Sequence, residues 1–123
     1  MSSNKQISLA IDAMGGDFGP SVVVPGALQA ARNTGAKVIL VGKEEEIRSV
    51  LKDQGVLSEE GSLFEVINAT QTIEMTDKPS EILRSKKDSS MKVACRLVHS
   101  GSADAFISAG HSGAAYACAM FIL

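Results

Sequence analysis

Residues 10–20 read AIDAMGGDFGP: an apolar run that ends in two carboxylates, Asp12 and Asp17, set around the glycine pair Gly15 and Gly16. Residues 103–113, ADAFISAGHSG, repeat the form, with a short apolar run emptying into a loop of small residues. Open α/β sheets build their ligand clefts where buried strands run into such loops, outside the carboxyl ends of the strands. Two junctions of this kind predict an α/β protein with its cleft between them.

The intervening sequence supplies the alternation that such a sheet needs. Ile7–Ile11 (ISLAI), Lys37–Val41 (KVILV) and Leu63–Ile67 are apolar runs of strand length, suited to parallel strands buried on both faces. Helical spacing follows the first, with Val23/Val24, Ala27/Leu28 and Ala31 predicting a helix over 21–33. Pro25 weakens its first part, so the regular helix is expected to start there, and Gly35 to stop it. The next helix, over 44–54, carries the stripe Ile47, Val50 and Leu51; Glu44, Glu45 and Glu46 suit its amino end and Gly55 ends it. Pro79 then opens a short helix to about Ser85, and Asp88 or Ser89 caps another with the stripe Met91, Ala94/Cys95 and Val98. Ala105–Ile107 centre a fourth strand, and the uncharged residues 113–123 are expected to be a buried helix. The βαβ rhythm predicts a parallel sheet with helices on both faces.

Composition narrows the function. A formal net charge of −2 argues against a dedicated nucleic-acid binder, which normally carries a strong basic excess. Aromatics at 4% leave the core to Val, Ile, Leu and Ala, with Met14, Met75, Met91 and Met120 as filling. Cys95 and Cys118 lie in helical patterns without a CxxC pair, which favours two buried thiols over a disulfide or a metal site. No His/Cys/Asp cluster has metal-ligand spacing, so neither metal nor cofactor is expected. No apolar run before the first strand is long enough for a signal peptide. The apolar ending AMFIL lacks a cap or polar tail, so residues 1–123 are expected to be the amino-terminal part of a single α/β catalytic domain in a longer protein.

Three stretches carry candidate chemistry. Asp12 at a strand end either orients a ligand or caps local amides, and Gly15 and Gly16 permit a sharp turn or close backbone approach. The pair completes neither GxGxxG nor GxxxxGK[ST]. Ser108, Gly110, Ser112 and Gly113 lead into a helix whose amino end can hold an anion. His111, in the same loop, is either a proton donor and acceptor or simply a loop residue. Only one glycine of a GxSxG elbow is correctly placed around Ser112, which rejects a serine hydrolase. Arg84, Lys86 and Lys87 precede a helix bearing Ser89 and Ser90. With Lys92 and Arg96 they form either a solvated basic face or a site for phosphate or a phosphopantetheine-bearing carrier.

Taken together and in this order, AIDAMGGDFGP, RSKKDSSM and ADAFISAGHSGA resemble the amino-terminal third of the bacterial fatty acid/phospholipid synthesis proteins, the acyl-acyl-carrier-protein:phosphate acyltransferases. The family pattern matches at Asp12, Gly15, Gly16, Asp17, Pro20, Lys86, Lys87, Ser89, Ser90, Ser108, Gly110 and Gly113. It departs at His111-Ser112, where the family has Asn-Thr. The resemblance implies transfer of a long-chain acyl group from acyl carrier protein to inorganic phosphate, giving acyl phosphate for a membrane glycerol-3-phosphate acyltransferase. It also implies a three-layer α/β/α sandwich of the isocitrate/isopropylmalate dehydrogenase type, a homodimer, and a cytoplasmic location with peripheral membrane association. On chemical grounds Lys86, Ser89 and His111 are the catalytic candidates. Asp12, Gly15, Gly16, Asp17, Lys87, Ser90, Ser108, Gly110, Ser112 and Gly113 are the candidates for binding phosphate or substrate. The alternatives are a phosphotransacetylase-like enzyme acting on acyl-coenzyme A and a non-catalytic fragment.

Overall fold

A computed structural model describes residues 6–123. Four strands, β1 (Ser8–Asp12), β2 (Lys37–Gly42), β3 (Phe64–Asn68) and β4 (Ala105–Ile107), form one sheet in the order β3-β2-β1-β4. Every pairing is parallel, with Ala10 opposite Ile39 on one side of β1 and opposite Phe106 on the other. Five helices accompany them: α1 (Pro20–Thr34), α2 (Glu44–Asp53), α3 (Pro79–Ser85), α4 (Ser90–His99) and α5 (Ser112–Ile122). A single 3₁₀ turn, Leu57–Glu59, precedes β3.

Alternation along the strands divides the core. Ile11, Val38, Leu40 and Phe64 meet Val24, Leu28, Ile47 and Leu51 from α1 and α2. The opposite face, with Ala10, Ile39 and Val41, is covered by Ala94 and its neighbours on α4. A third cluster, Ile82, Met91, Cys95, Ala114 and Cys118, fastens α3, α4 and α5 together. Full burial of a side chain such as Leu40 or Phe64 contributes roughly 1.5–3 kcal/mol, so these contacts outweigh the modest helix propensity of the valine-rich α1. Both cysteines are buried free thiols, as expected.

The chain steps from β1 to β2 to β3 in one direction with α1 and α2 on one face. It then returns across the sheet to β4, beyond β1, with α4 on the other face. The direction reverses between β1 and β4, and a reversal of this kind opens a crevice at the carboxyl ends of the two strands. Both glycine-bearing loops leave the sheet there.

Three expectations are corrected. The helix α1 begins at Pro20 rather than Pro25, which lies inside it. Pro20 occupies the first helical position, where a missing N–H costs nothing, whereas Pro25 lies past the first turn and forfeits the bond its amide would make to the Ser21 carbonyl. The last helix is buried on one side only: Ala114, Ala117 and Cys118 pack inward, whereas Tyr116, Met120 and Phe121 are exposed. Met75 and Met120 are therefore surface residues, unlike Met91, which is core.

Candidate functional site

Asp12 closes β1 and is 3% exposed. Its Oδ1 accepts hydrogen bonds from Ser90 Oγ (2.5 Å) and from the Met14 amide (3.1 Å), and its Oδ2 accepts one from Ser108 Oγ (2.8 Å). A buried carboxylate survives only with such donors. One side chain thus joins the strand end of the first motif, the start of α4 and the loop after β4. The bland reading of Asp12 as a local cap accounts for one of these three bonds.

The two glycine loops touch. A Cβ at Gly15 would stand 2.8 Å from the Gly110 amide nitrogen and 3.0 Å from Asp12 Oδ2, so only glycine permits this approach. The Gly110 amide donates to Ser108 Oγ (3.1 Å). Under this contact lies a cavity of about 10 Å³, lined by Asp12, Gly15, Thr72, Ser90, Gly110 and His111 among others. It has room for about one water-sized group. A phosphate enters only if the loops part.

The start of α4 is built for rigidity. Ser89 Oγ, fully buried, accepts from the Lys92 amide (3.2 Å) and caps the helix. The Ser90 amide donates to the Gln71 carbonyl (3.1 Å), and the Gln71 amide to the Asp88 carbonyl (3.1 Å). Asp88 Oδ2 accepts from both the hydroxyl and the amide of Thr70 (2.6 and 2.8 Å), which holds its carboxyl below the ordinary carboxylate range. Burial, with Arg96 and Lys87 nearby, lowers the Lys92 ammonium below the usual lysine range.

Two further candidates face each other across the segment before α3. Lys86 Nζ donates to Asp77 Oδ2 (2.5 Å) and to the Thr72 carbonyl (2.8 Å). His111 is the residue before α5, and its Nδ1 accepts from the Ala114 amide (3.2 Å). The ring proton of the neutral imidazole therefore sits on Nε2, which donates to the Asp77 carbonyl (2.8 Å). His111 thus serves at once as the cap of α5 and as a donor to the segment before α3.

The structure brings Asp12, Gly15, Ser90, Ser108, Gly110 and His111 to one place, with Lys86 and Ser89 beside it. Gly113 packs at the rim, where a Cβ would stand 2.8 Å from Pro79 Cγ and 3.0 Å from His111 Cε1. Gly16, Asp17, Lys87 and Ser112 are exposed and do not line the cavity. Sequence reasoning missed Thr72 and Asp77. Thr72 Oγ1 is buried without a hydrogen-bond partner among the described residues, and no pattern in ATQTIEMTDKP signals it.

Residues 7–123 match the family model described as fatty acid synthesis protein. The chain belongs to this family. Among relatives of the fatty acid synthesis proteins, the phosphate acyltransferase of Lawsonia intracellularis is 53% identical over 123 residues, covering 100% of this chain and 35% of the relative. The phosphate acyltransferase of Oleidesulfovibrio alaskensis is 52% identical over 121 residues, 98% of this chain and 34% of the relative. That of Methylococcus capsulatus is 49% identical over 117 residues, 94% and 34% respectively. The chain spans about a third of the length of these relatives. Among the described residues, no helix is long and apolar enough to cross a membrane, and no group of three or more His, Cys, Asp or Glu could hold a metal ion.

Proposed function

We propose that this chain forms the amino-terminal part of the α/β catalytic domain of an enzyme that moves a long-chain acyl group from acyl carrier protein to inorganic phosphate. The observation that carries the reading is the Asp12 carboxylate bonded to Ser90 and Ser108, which gathers the three motifs at the sheet's reversal point. A phosphate oxygen attacks the thioester carbonyl, the acyl–sulfur bond breaks, and the carrier leaves as a thiolate that takes up a proton. The products are acyl phosphate and free carrier thiol. No covalent enzyme intermediate is needed; the work is to hold the anion against the carbonyl and to meet the developing oxyanion with donors.

The donors are at hand. The Thr72 hydroxyl, the Gly110 loop and His111 at the amino end of α5 line the cavity, and Lys86, Ser89 and His111 are the groups to which this reading gives the catalytic work. Asp12 orders Ser90 and Ser108 and does not attack, since a carboxylate repels an anionic nucleophile. Arg84, Lys87 and Arg96 are exposed beside the site and suit an acidic carrier protein by steering its approach. The same reading includes a sandwich of the isocitrate/isopropylmalate dehydrogenase type, a homodimer in the cytoplasm peripherally attached to the membrane, and delivery of the acyl phosphate to a membrane glycerol-3-phosphate acyltransferase.

The test is release of free thiol from palmitoyl-acyl carrier protein, with and without phosphate, by this chain and by a chain extended to the relatives' length. Phosphate-dependent release by the long form supports the transferase, and release by the long form alone makes residues 1–123 one wall of the cleft. Release from acyl-coenzyme A but not from the carrier would move the assignment to a phosphotransacetylase-like enzyme.

A further inference from the structure

We propose that Asp77 is a positioning residue, which fixes Lys86 and His111 at the mouth of the cleft. The proposal rests on the acyltransferase reading of that cleft. An aspartate two residues before Pro79 looks like a cap for α3. The structure gives it other work, since the residue before α3 is Lys78 and no side chain caps that helix. Asp77 Oδ2 accepts from Lys86 Nζ (2.5 Å) and from the Glu74 amide (2.7 Å), while the Asp77 carbonyl accepts from His111 Nε2 (2.8 Å). One residue thereby ties the segment before α3, the end of α3 and the start of α5.

Asp77 does not line the cavity, so it acts through its partners. Its carboxylate holds a flexible lysine whose second bond runs to the carbonyl of Thr72, a cavity residue. Its carbonyl selects the imidazole tautomer that leaves Nδ1 free to cap α5. The ammonium of Lys86 and the amide from the Glu74 turn both favour the ionised carboxyl, which stays charged throughout the neutral range. Asn in its place keeps the shape and loses the charge that orders Lys86.

The experiment compares D77N, K86M and D77N/K86M in the full-length protein, by phosphate-dependent thiol release and by ¹⁵N spectra of the His111 imidazole. D77N is expected to raise the KM for phosphate roughly tenfold, the low end for losing a hydrogen bond to a charged group, with a smaller change in kcat. On the K86M background the same substitution should add less than about twofold, because the interaction is already gone. The wild-type imidazole should show a protonated Nε2 and an unprotonated Nδ1, and D77N, which keeps the backbone carbonyl, should leave that tautomer in place. An unchanged KM in D77N, or an equal penalty with and without Lys86, overturns the proposal. So does a wild-type ring protonated on Nδ1, a result that does not depend on any variant folding. If the wild type shows no phosphate-dependent release, the transferase reading falls, and the ¹⁵N spectra still decide whether Asp77 holds His111.

Discussion

Ser90 and Ser108 are interchangeable in chemistry but not in burial. Ser90 is 2% exposed and its hydroxyl is the shorter donor to Asp12. Ser90→Ala leaves a buried carboxylate short of a donor and should cost about 1–3 kcal/mol in urea unfolding, whereas Ser108→Ala, at a partly open position, should cost less. An equal cost for the two would mean that Asp12 is solvated in solution. Gly15 and Gly26 give the opposite contrast. A Cβ at Gly15 meets Gly110 at 2.8 Å, so Gly15→Ala should destabilise by about 1–3 kcal/mol and abolish phosphate-dependent turnover. Gly26 lies within α1 and a Cβ there meets nothing within 4 Å, so Gly26→Ala should stabilise the fold by about 0.5–1 kcal/mol. Thermal unfolding of the two variants side by side checks both signs.

At the scale of elements, α4 is anchored through its first turn. Ser89→Ala removes the cap and should lower stability by about 0.5–2 kcal/mol. Asp88, just before it, has its carboxyl held down by Thr70. A depressed folded value means that the stabilisation is present in full above the unfolded carboxylate value of about 4 and is lost as pH falls through the folded value. Asp88→Asn should therefore lower Tm at neutral pH and flatten its fall below about pH 4. A parallel shift at every pH would show that the charge is irrelevant. Much of this scaffold was legible in the sequence, because strands and helices are set by local spacing: the strand read as centred on Ala105–Ile107 and the short helix opening at Pro79 are both present. Asp12 was legible as a strand-end carboxylate, but its partners were not, since Ser90 lies 78 residues away. Asp77 was hidden for a different reason. Its place before Pro79 imitates a helix cap, and only the fold turns Lys86 back onto it.

For the whole molecule, the outer side of α5 stands out. Tyr116, Met120, Phe121 and Leu123 are more than half exposed, and a groove of about 520 Å³ runs between Tyr116, Phe121 and Pro79. Patches of this kind drive association. The 123-residue chain alone should sediment as oligomers at micromolar concentration, and Phe121→Glu with Met120→Lys should shift it toward monomer. A wild-type chain that stays monomeric would show that the patch is covered in solution. The sheet order has a second consequence, in time rather than in space. β1 pairs with β4 across 96 residues of chain, and the same span separates Asp12 from Ser108. At translation rates of 5–20 residues per second, roughly 5–20 s pass between synthesis of the two. Throughout that interval one edge of β1 has no strand beside it and the Asp12 carboxylate lacks a donor it needs for burial. The nascent chain thus carries the Asp12 cluster half assembled, and the ribosome's pace sets how long that edge stays open to other strands.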